Sequence, residues 1–175
     1  DAYSRINRMI QAAQFVNDVA TDARVFRAPG RVDIIGEHTD YNDGLVLPTN
    51  TALYTWLAIK PRTDRVVSVL AKNFEAQRDF NLDAIEPSNK PEWIDYLKGV
   101  CAEIEATGIT LRGANIEIHG EIPIGGGLSS SASLELVMAT AMLAISDALL
   151  PAQEIAKLCQ RAEHTFAGVN CGIMD

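Results

Sequence analysis

Residues 114–150, ANIEIHGEIPIGGGLSSSASLELVMATAMLAISDALL, decide how this chain folds. Ala114, Ile116 and Ile118 alternate with Asn115, Glu117 and His119, the period-two pattern of a strand with one buried face. Three consecutive glycines, Gly125 to Gly127, end that strand's run, and SASLELVMATAMLAISDAL follows, apolar nearly all round. A helix of that kind is predicted to be buried on most faces and to act as a central packing element. A half-buried strand, a glycine turn and a buried helix in succession imply a layered domain around one core.

Short strand-like pieces lie upstream. RVFRA, VDII and LVLP are separated by turn-rich residues, and TALYTWLAIK and RVVSVLAK flank a tight PRTD loop, with QRDFNL a further strand candidate. Ile6, Met9, Ile10, Ala13 and Val16 recur at helical spacing and predict an amphipathic helix ending before Thr21. Trp93, Tyr96, Leu97, Val100, Cys101 and Ile104 predict a second helix, with Gly108 where a C-cap belongs. After Pro151, the stripe Ile155, Leu158, Cys159, Ala162 and Phe166 predicts another, stopped by Gly168. Strands come first and helices later without βα alternation, so the class is α+β.

Composition narrows the function. The 175 residues suit one compact domain or one plus part of another, and 47% hydrophobic with 22% charged residues is ordinary for a globular chain. A formal charge of −8 disfavours nucleic acid, since basic residues do not cluster; the densest group is Arg24, Arg27 and Arg31, the first two suiting a solvated strand face. Glu135 and Asp147 interrupt the most apolar run, so no membrane span is expected. No secretory leader is seen, and three cysteines without CxxC spacing suit a reducing compartment, which makes the cytoplasm the expected location.

Two segments carry candidate chemistry. In IPIGGGLSSSAS, glycines allow close backbone approach to an anion, while serine hydroxyls and the N–H groups of a helix start supply donors at the positive end of its dipole. That suits a phosphate. It is neither a Walker A loop nor a dinucleotide fingerprint, because Gly125, Gly127 and Ser130 break the last glycine of GxGxxG. With no lysine in the loop, a triphosphate would need backbone N–H groups and a divalent ion, and magnesium takes oxygen ligands such as a serine hydroxyl and a carboxylate. The structural alternative is a flexible loop with a serine N-cap. In GRVDIIGEHTDYNDG, Glu37, His38 and Asp40 crowd a strand end, a donor and acceptor mixture suited to a polyhydroxylated ligand. The alternative there is an exposed connection, since Asp43-Gly44 is ordinary turn chemistry.

Three ordered motifs, APGRVDIIGEHTDYNDGLVLP, IPIGGGLSSSAS and AEHTFAGVNCGIMD, resemble respectively the galactokinase signature, the phosphate motif of the GHMP small-molecule kinases and the galactokinase segment with the catalytic aspartate. The phosphate motif marks only the superfamily; EHTDY and CGIMD are specific to galactokinases and very near relatives. The resemblance runs from about Arg27 to Asp175 and implies the N-terminal GHMP domain (ribosomal protein S5 domain 2-like), a mixed sheet packed with helices. It implies that residues 1–175 form that domain incompletely, with the C-terminal domain and its sugar-contacting tyrosine absent, exposed strand edges and a tendency to aggregate. Whole, the protein would be a monomer.

The resemblance further implies ATP- and Mg2+-dependent phosphorylation of D-galactose at the C1 hydroxyl. Asp175 would be catalytic with Arg31 as its basic partner; Glu37, His38, Thr39, Asp40, Gly172 and Asp175 would contact galactose. Gly125, Gly126, Gly127, Leu128, Ser129, Ser130 and Ser131 would hold the ATP phosphates, and Ser131 and Glu163 the magnesium. Taken singly, Glu163 also reads as a solvated carboxylate, Asp175 as a frayed end, and His119 and His164 as packing or surface residues. One departure is Asp33, where the family usually has Asn: it can pair with Arg31 or point to the opposite strand face. A catalytically silent galactose sensor on the same fold is the alternative of another class. Kinases of N-acetylgalactosamine or isoprenoid alcohols are the alternative enzymes, disfavoured by EHTDYNDG.

Overall fold

The computed structural model describes residues 2–36 and 44–174, with the side chains of 2–5 left aside. Helix α1 (Ala2–Asp18) leads into strands β1 (Arg24–Ile35), β2 (Leu47–Pro61), β3 (Val66–Ala71) and β4 (Ala76–Asn81), with one 3-10 turn, Lys72–Phe74, between the last two. Helix α2 (Ile94–Ala106), strand β5 (Ala114–Gly120) and helices α3 (Ser130–Ile145) and α4 (Ala152–Ala162) follow, and α4 widens into a π turn, Glu163–Ala167. The strands form a mixed sheet in the order β1-β2-β5-β3-β4, antiparallel except for the parallel pair β3 and β5. The expected α+β class and mixed sheet are both present.

Alternation builds the core. Leu57 and Ile59 on β2, Val67 and Val69 on β3, and Ile116 and Ile118 on β5 turn one sheet face toward Val100 and Ile104 of α2, Val137, Met138 and Met142 of α3, and Leu158 of α4. Buried residues occur on every side of α3, as its uniform hydrophobicity predicts. At Gly99 of α2 an added Cβ would lie 3.0 Å from the Cβ atoms of both Ala162 and Phe166, so a side chain there would force α2 away from the end of α4. Gly108 (φ 91°) and Gly168 (φ 70°) end α2 and the π turn in the left-handed conformation. No helix among the described residues is long and apolar enough to cross a membrane.

One expectation fails, and another, a helix ending before Thr21, is met by α1 with its apolar stripe turned outward. RVFRA and VDII are not separate strands: β1 runs through Pro29 and Gly30 with its register shifted there, and LVLP joins TALYTWLAIK as one β2. Pro29 is tolerated because β1 is an edge strand, where a missing N–H leaves no neighbour unpaired. In that stripe Met9 is 70% exposed and Ile6, Ile10 and Val16 are exposed with it, while Ala12 and Phe15 are buried. Phe15 stacks on His119, which alternation places on the sheet face opposite the core. That outer face carries Arg27 over the rings of Tyr54 and Trp56, so α1 has only a small apolar platform to cover.

Candidate active site

The glycine-serine loop sits between β5 and α3 with its tip, residues 123–127, exposed and Ser129, Ser130 and Ser131 half-buried. Gly125 (φ 69°) and Gly127 (φ 67°) occupy left-handed conformations in open space, so conformation rather than crowding demands glycine there. Ser129 is the N-cap residue of α3, itself left-handed (φ 55°), and its side chain makes no capping bond. The serine-capped loop anticipated as a structural alternative is therefore not formed, and the first N–H groups of α3 are not occupied by that side chain. Ser133, one turn in, acts instead as a fastener between α3 and strands β1 and β2. Its hydroxyl donates to Ala28 O (2.8 Å) and lies 2.9 Å from Thr55 Oγ1.

Arg31 joins the loop to the end of the chain. Its backbone N–H donates to Leu128 O (3.1 Å), and its Nε donates to Met174 O (3.0 Å) across 143 residues of sequence. Gly30 makes the first contact possible, since a Cβ at that position would lie 2.7 Å from Leu128 O. Of the two orientations open to Asp33, the structure takes the paired one: Nη1 of Arg31 donates to Asp33 Oδ2 at 2.8 Å. The buried Asp33 Oδ1 has no hydrogen-bond partner among the described residues. Gly172 is buried, and the segment before it is held by Gln160 Nε2 (3.1 Å) and His164 Nε2 (3.0 Å) on Cys171 O, which gives His164 a structural role. Glu37, His38, Thr39, Asp40 and Asp175 lie outside the described residues.

Glu163 is not a solvated carboxylate. It is 4% exposed and borders a cavity of about 90 Å³ with Glu135, Ala132, Cys171 and Gly172. Ala132 follows Ser131, so the start of α3 and Glu163 meet at this cavity. Glu135 is a functional candidate that the sequence shows only as an interruption of an apolar run. It is 1% exposed, its Oε1 has no partner among the described residues, and burial, then the neighbouring Glu163, push its carboxyl up to about 9. An acid in an otherwise apolar helix was the available signal. His119 is half-buried against Phe15, and burial lowers its imidazole below the ordinary range. No cluster of three or more His, Cys, Asp or Glu side chains suited to a metal occurs among the described residues. A larger groove of about 800 Å³, between α1 and the outer sheet face, contains none of the predicted site residues.

Residues 95–175 match the family model for the GHMP kinases N terminal domain, and residues 13–61 match the galactokinase galactose-binding signature. A galactokinase of Chloroflexus aggregans is 45% identical over 152 residues, which cover 87% of this chain and 39% of that protein. The crystal structure of Lactococcus lactis galactokinase complexed with galactose superposes with a TM-score of 0.85 at 34% identity, covering 97% of this chain and 45% of that one. Methanococcus jannaschii mevalonate kinase, 22% identical with a TM-score of 0.75 over 88% of this chain and 50% of its own, shares the fold. Fold and loop thus define the class: residues 95–175 match the N-terminal domain of the GHMP kinases, on the fold shared with these galactokinase and mevalonate kinase structures. Within that class it is similar to the N-terminal portion of galactokinases, and it spans about two fifths of the length of the curated relatives it matches.

Proposed function

We propose that the protein phosphorylates D-galactose at the C1 hydroxyl with ATP and magnesium, in a cytoplasmic setting. The observation that carries this reading is Arg31, whose main chain holds the glycine-serine loop while its side chain holds the residue before Asp175. A phosphate donor and a sugar hydroxyl must meet between such elements for transfer to occur. The loop 125–131 receives the phosphates through the open backbone at Gly125 and Gly127 and the N–H groups starting α3. Arg31 stabilises charge on the transferred phosphoryl group, and Asp175 orients or deprotonates the C1 hydroxyl. Because phosphoryl transfer has a loose transition state, position and electrostatics supply most of the rate. Glu37, His38, Thr39, Asp40 and Gly172 select the sugar.

Magnesium suits the residues present. The half-buried Ser131 hydroxyl and the buried Glu163 carboxyl are oxygen donors of the kind magnesium takes, Ala132 beside Ser131 lines the same cavity as Glu163, and Oε1 of Glu135 is an unpartnered acceptor there among the described residues. When bound, the ion neutralises charge on the nucleotide phosphates. Ser131 and Glu163 would hold it.

ADP release by the full-length protein tests the proposal, with ATP and magnesium, D-galactose as acceptor, and D-glucose and N-acetylgalactosamine as controls. Galactose-dependent turnover that disappears in Asp175→Ala, with galactose binding retained, is expected; binding without turnover in the unaltered protein would instead identify a sensor. Ser131→Ala should weaken magnesium-nucleotide binding by about tenfold while shifting galactose affinity less than about twofold. Equal loss of both affinities would overturn the assignment of Ser131.

A further inference from the structure

We propose that Asp33 is a positioning residue for the reaction, setting the Arg31 guanidinium so that its Nε holds the Met174 carbonyl and thereby the chain entering Asp175. Arg31 and Asp33 are two residues apart on β1, so strand alternation places both side chains on one face. They occupy a short regular stretch, paired with Asn50, Thr49 and Pro48 of β2, between register shifts at Pro29/Arg31 and Asp33/Ile35. The Arg31 main chain is already fixed on Leu128 O, which leaves the long side chain as the adjustable part. Arginine's fork is rigid, so fixing Nη1 on Asp33 Oδ2 also directs Nε. With side-chain exposures of 13% for Arg31 and 10% for Asp33, water competes weakly for the pair.

Asp33 gains little for itself. Its Oδ1 is buried with no donor among the described residues, a cost without any structural return at Asp33, so the return lies in the guanidinium that Oδ2 orients. Three segments distant in sequence converge on this one arginine: the glycine-serine loop, the 171–174 segment and β1 itself. Loss of Asp33 leaves the first link intact, because that link is made by the backbone, and frees the second.

The kinetic arm of the test rests on the kinase reading; the spectroscopic arm does not. In the full-length protein labelled with 15N-arginine, the Arg31 Nε–H signal, assigned by its loss in Arg31→Lys, should exchange with water at least about tenfold faster in Asp33→Ala. The same variant should lower kcat about tenfold, with the galactose dissociation constant changed less than about twofold, because it misplaces a reacting group without removing a sugar contact. Asp33→Asn, which keeps the acceptor, should restore both readouts to within about threefold of the unaltered protein. If Asp33→Ala fails to fold, Asp33→Ser, too short to reach the guanidinium, carries the same expectation. Unchanged Nε–H exchange and kcat in the Ala or Ser variant would overturn the proposal, as would Asn being as damaging as Ala. Faster Nε–H exchange in a protein with no kinase activity at all would sink the kinase reading and leave Asp33's role standing.

Discussion

Asp95 in the first turn of α2 and Glu135 in α3 are both withdrawn from water, at 0% and 1% exposure, yet their surroundings are opposite. Asp95 accepts from the Ser88 N–H (3.0 Å) and hydroxyl (2.8 Å), the Glu92 N–H (2.8 Å) and Lys98 Nζ (3.2 Å). Burial alone would raise its carboxyl, but those four donors outweigh burial and hold it below the usual range. Glu135 has a second carboxyl for a neighbour and an oxygen with no partner among the described residues, and its carboxyl is pushed up to about 9. A buried acid with a full set of donors is a structural fastener. One left short of donors beside another acid is retained at a cost in stability, and the cavity it borders is the one where magnesium is proposed to bind.

The comparison breaks first at Asp95. Asp95→Ala would take the acceptor from the Ser88 and Glu92 N–H groups and the ion-pair partner from Lys98, and should lower unfolding free energy by about 3 kcal/mol in urea titrations of the full-length protein. A loss under about 1 kcal/mol would mean that solvent serves those donors instead. Glu135→Gln should act in the opposite direction, raising stability at pH 8 by about 1–3 kcal/mol while keeping a hydrogen bond to Glu163. The sign follows from the shift: with a folded value of about 9 against an ordinary 4.5, folding takes up a proton between those values. Stability from that group is therefore complete below about pH 4.5 and declines as pH rises toward 9. The Gln variant should flatten that decline, and parallel pH profiles for the two proteins would contradict it.

Asp95→Asn sharpens the contrast from the acid side. Its folded carboxyl is depressed, so its contribution is present above the unfolded value of about 4 and is lost as pH falls below it. The Asn variant should be about 1–2 kcal/mol less stable at pH 7 and should converge with the unaltered protein in acid-unfolding curves. The smallest effect is expected at Ser133→Ala, about 1 kcal/mol in the same urea assay, since a neutral buried hydroxyl is removed where Asp95 and Glu135 concern charge.

Much of the fold was legible because it repeats locally. The alternation of Ala114, Ile116 and Ile118, the seamless hydrophobicity of α3 and the stripe ending at Gly108 each state their secondary structure within a few turns of chain. The α1 stripe gave the helix but not its exposure, because amphipathicity tells which residues prefer burial, not whether a partner surface exists; the outer sheet face offers room mainly for Ala12 and Phe15. Strand boundaries around Pro29 failed for a related reason, since an edge position excuses proline and only the sheet order shows that β1 is an edge. Within the site, the resemblance named Arg31, Gly172 and Glu163, but it gave no sign of the Asp33 orientation or of Glu135 beside Glu163.

The sequence alone determined the class of fold, the position of the phosphate-type loop and the similarity to galactokinases, because these depend on residue type and spacing within single segments. Tertiary structure alone decided that Arg31 spans 143 residues to reach Met174 O, that Gly30 must lack a side chain and that two acids share a cavity wall. Those facts are contacts between segments remote in the chain. No local pattern encodes them, since each depends on how the whole sheet and its helices close around the core.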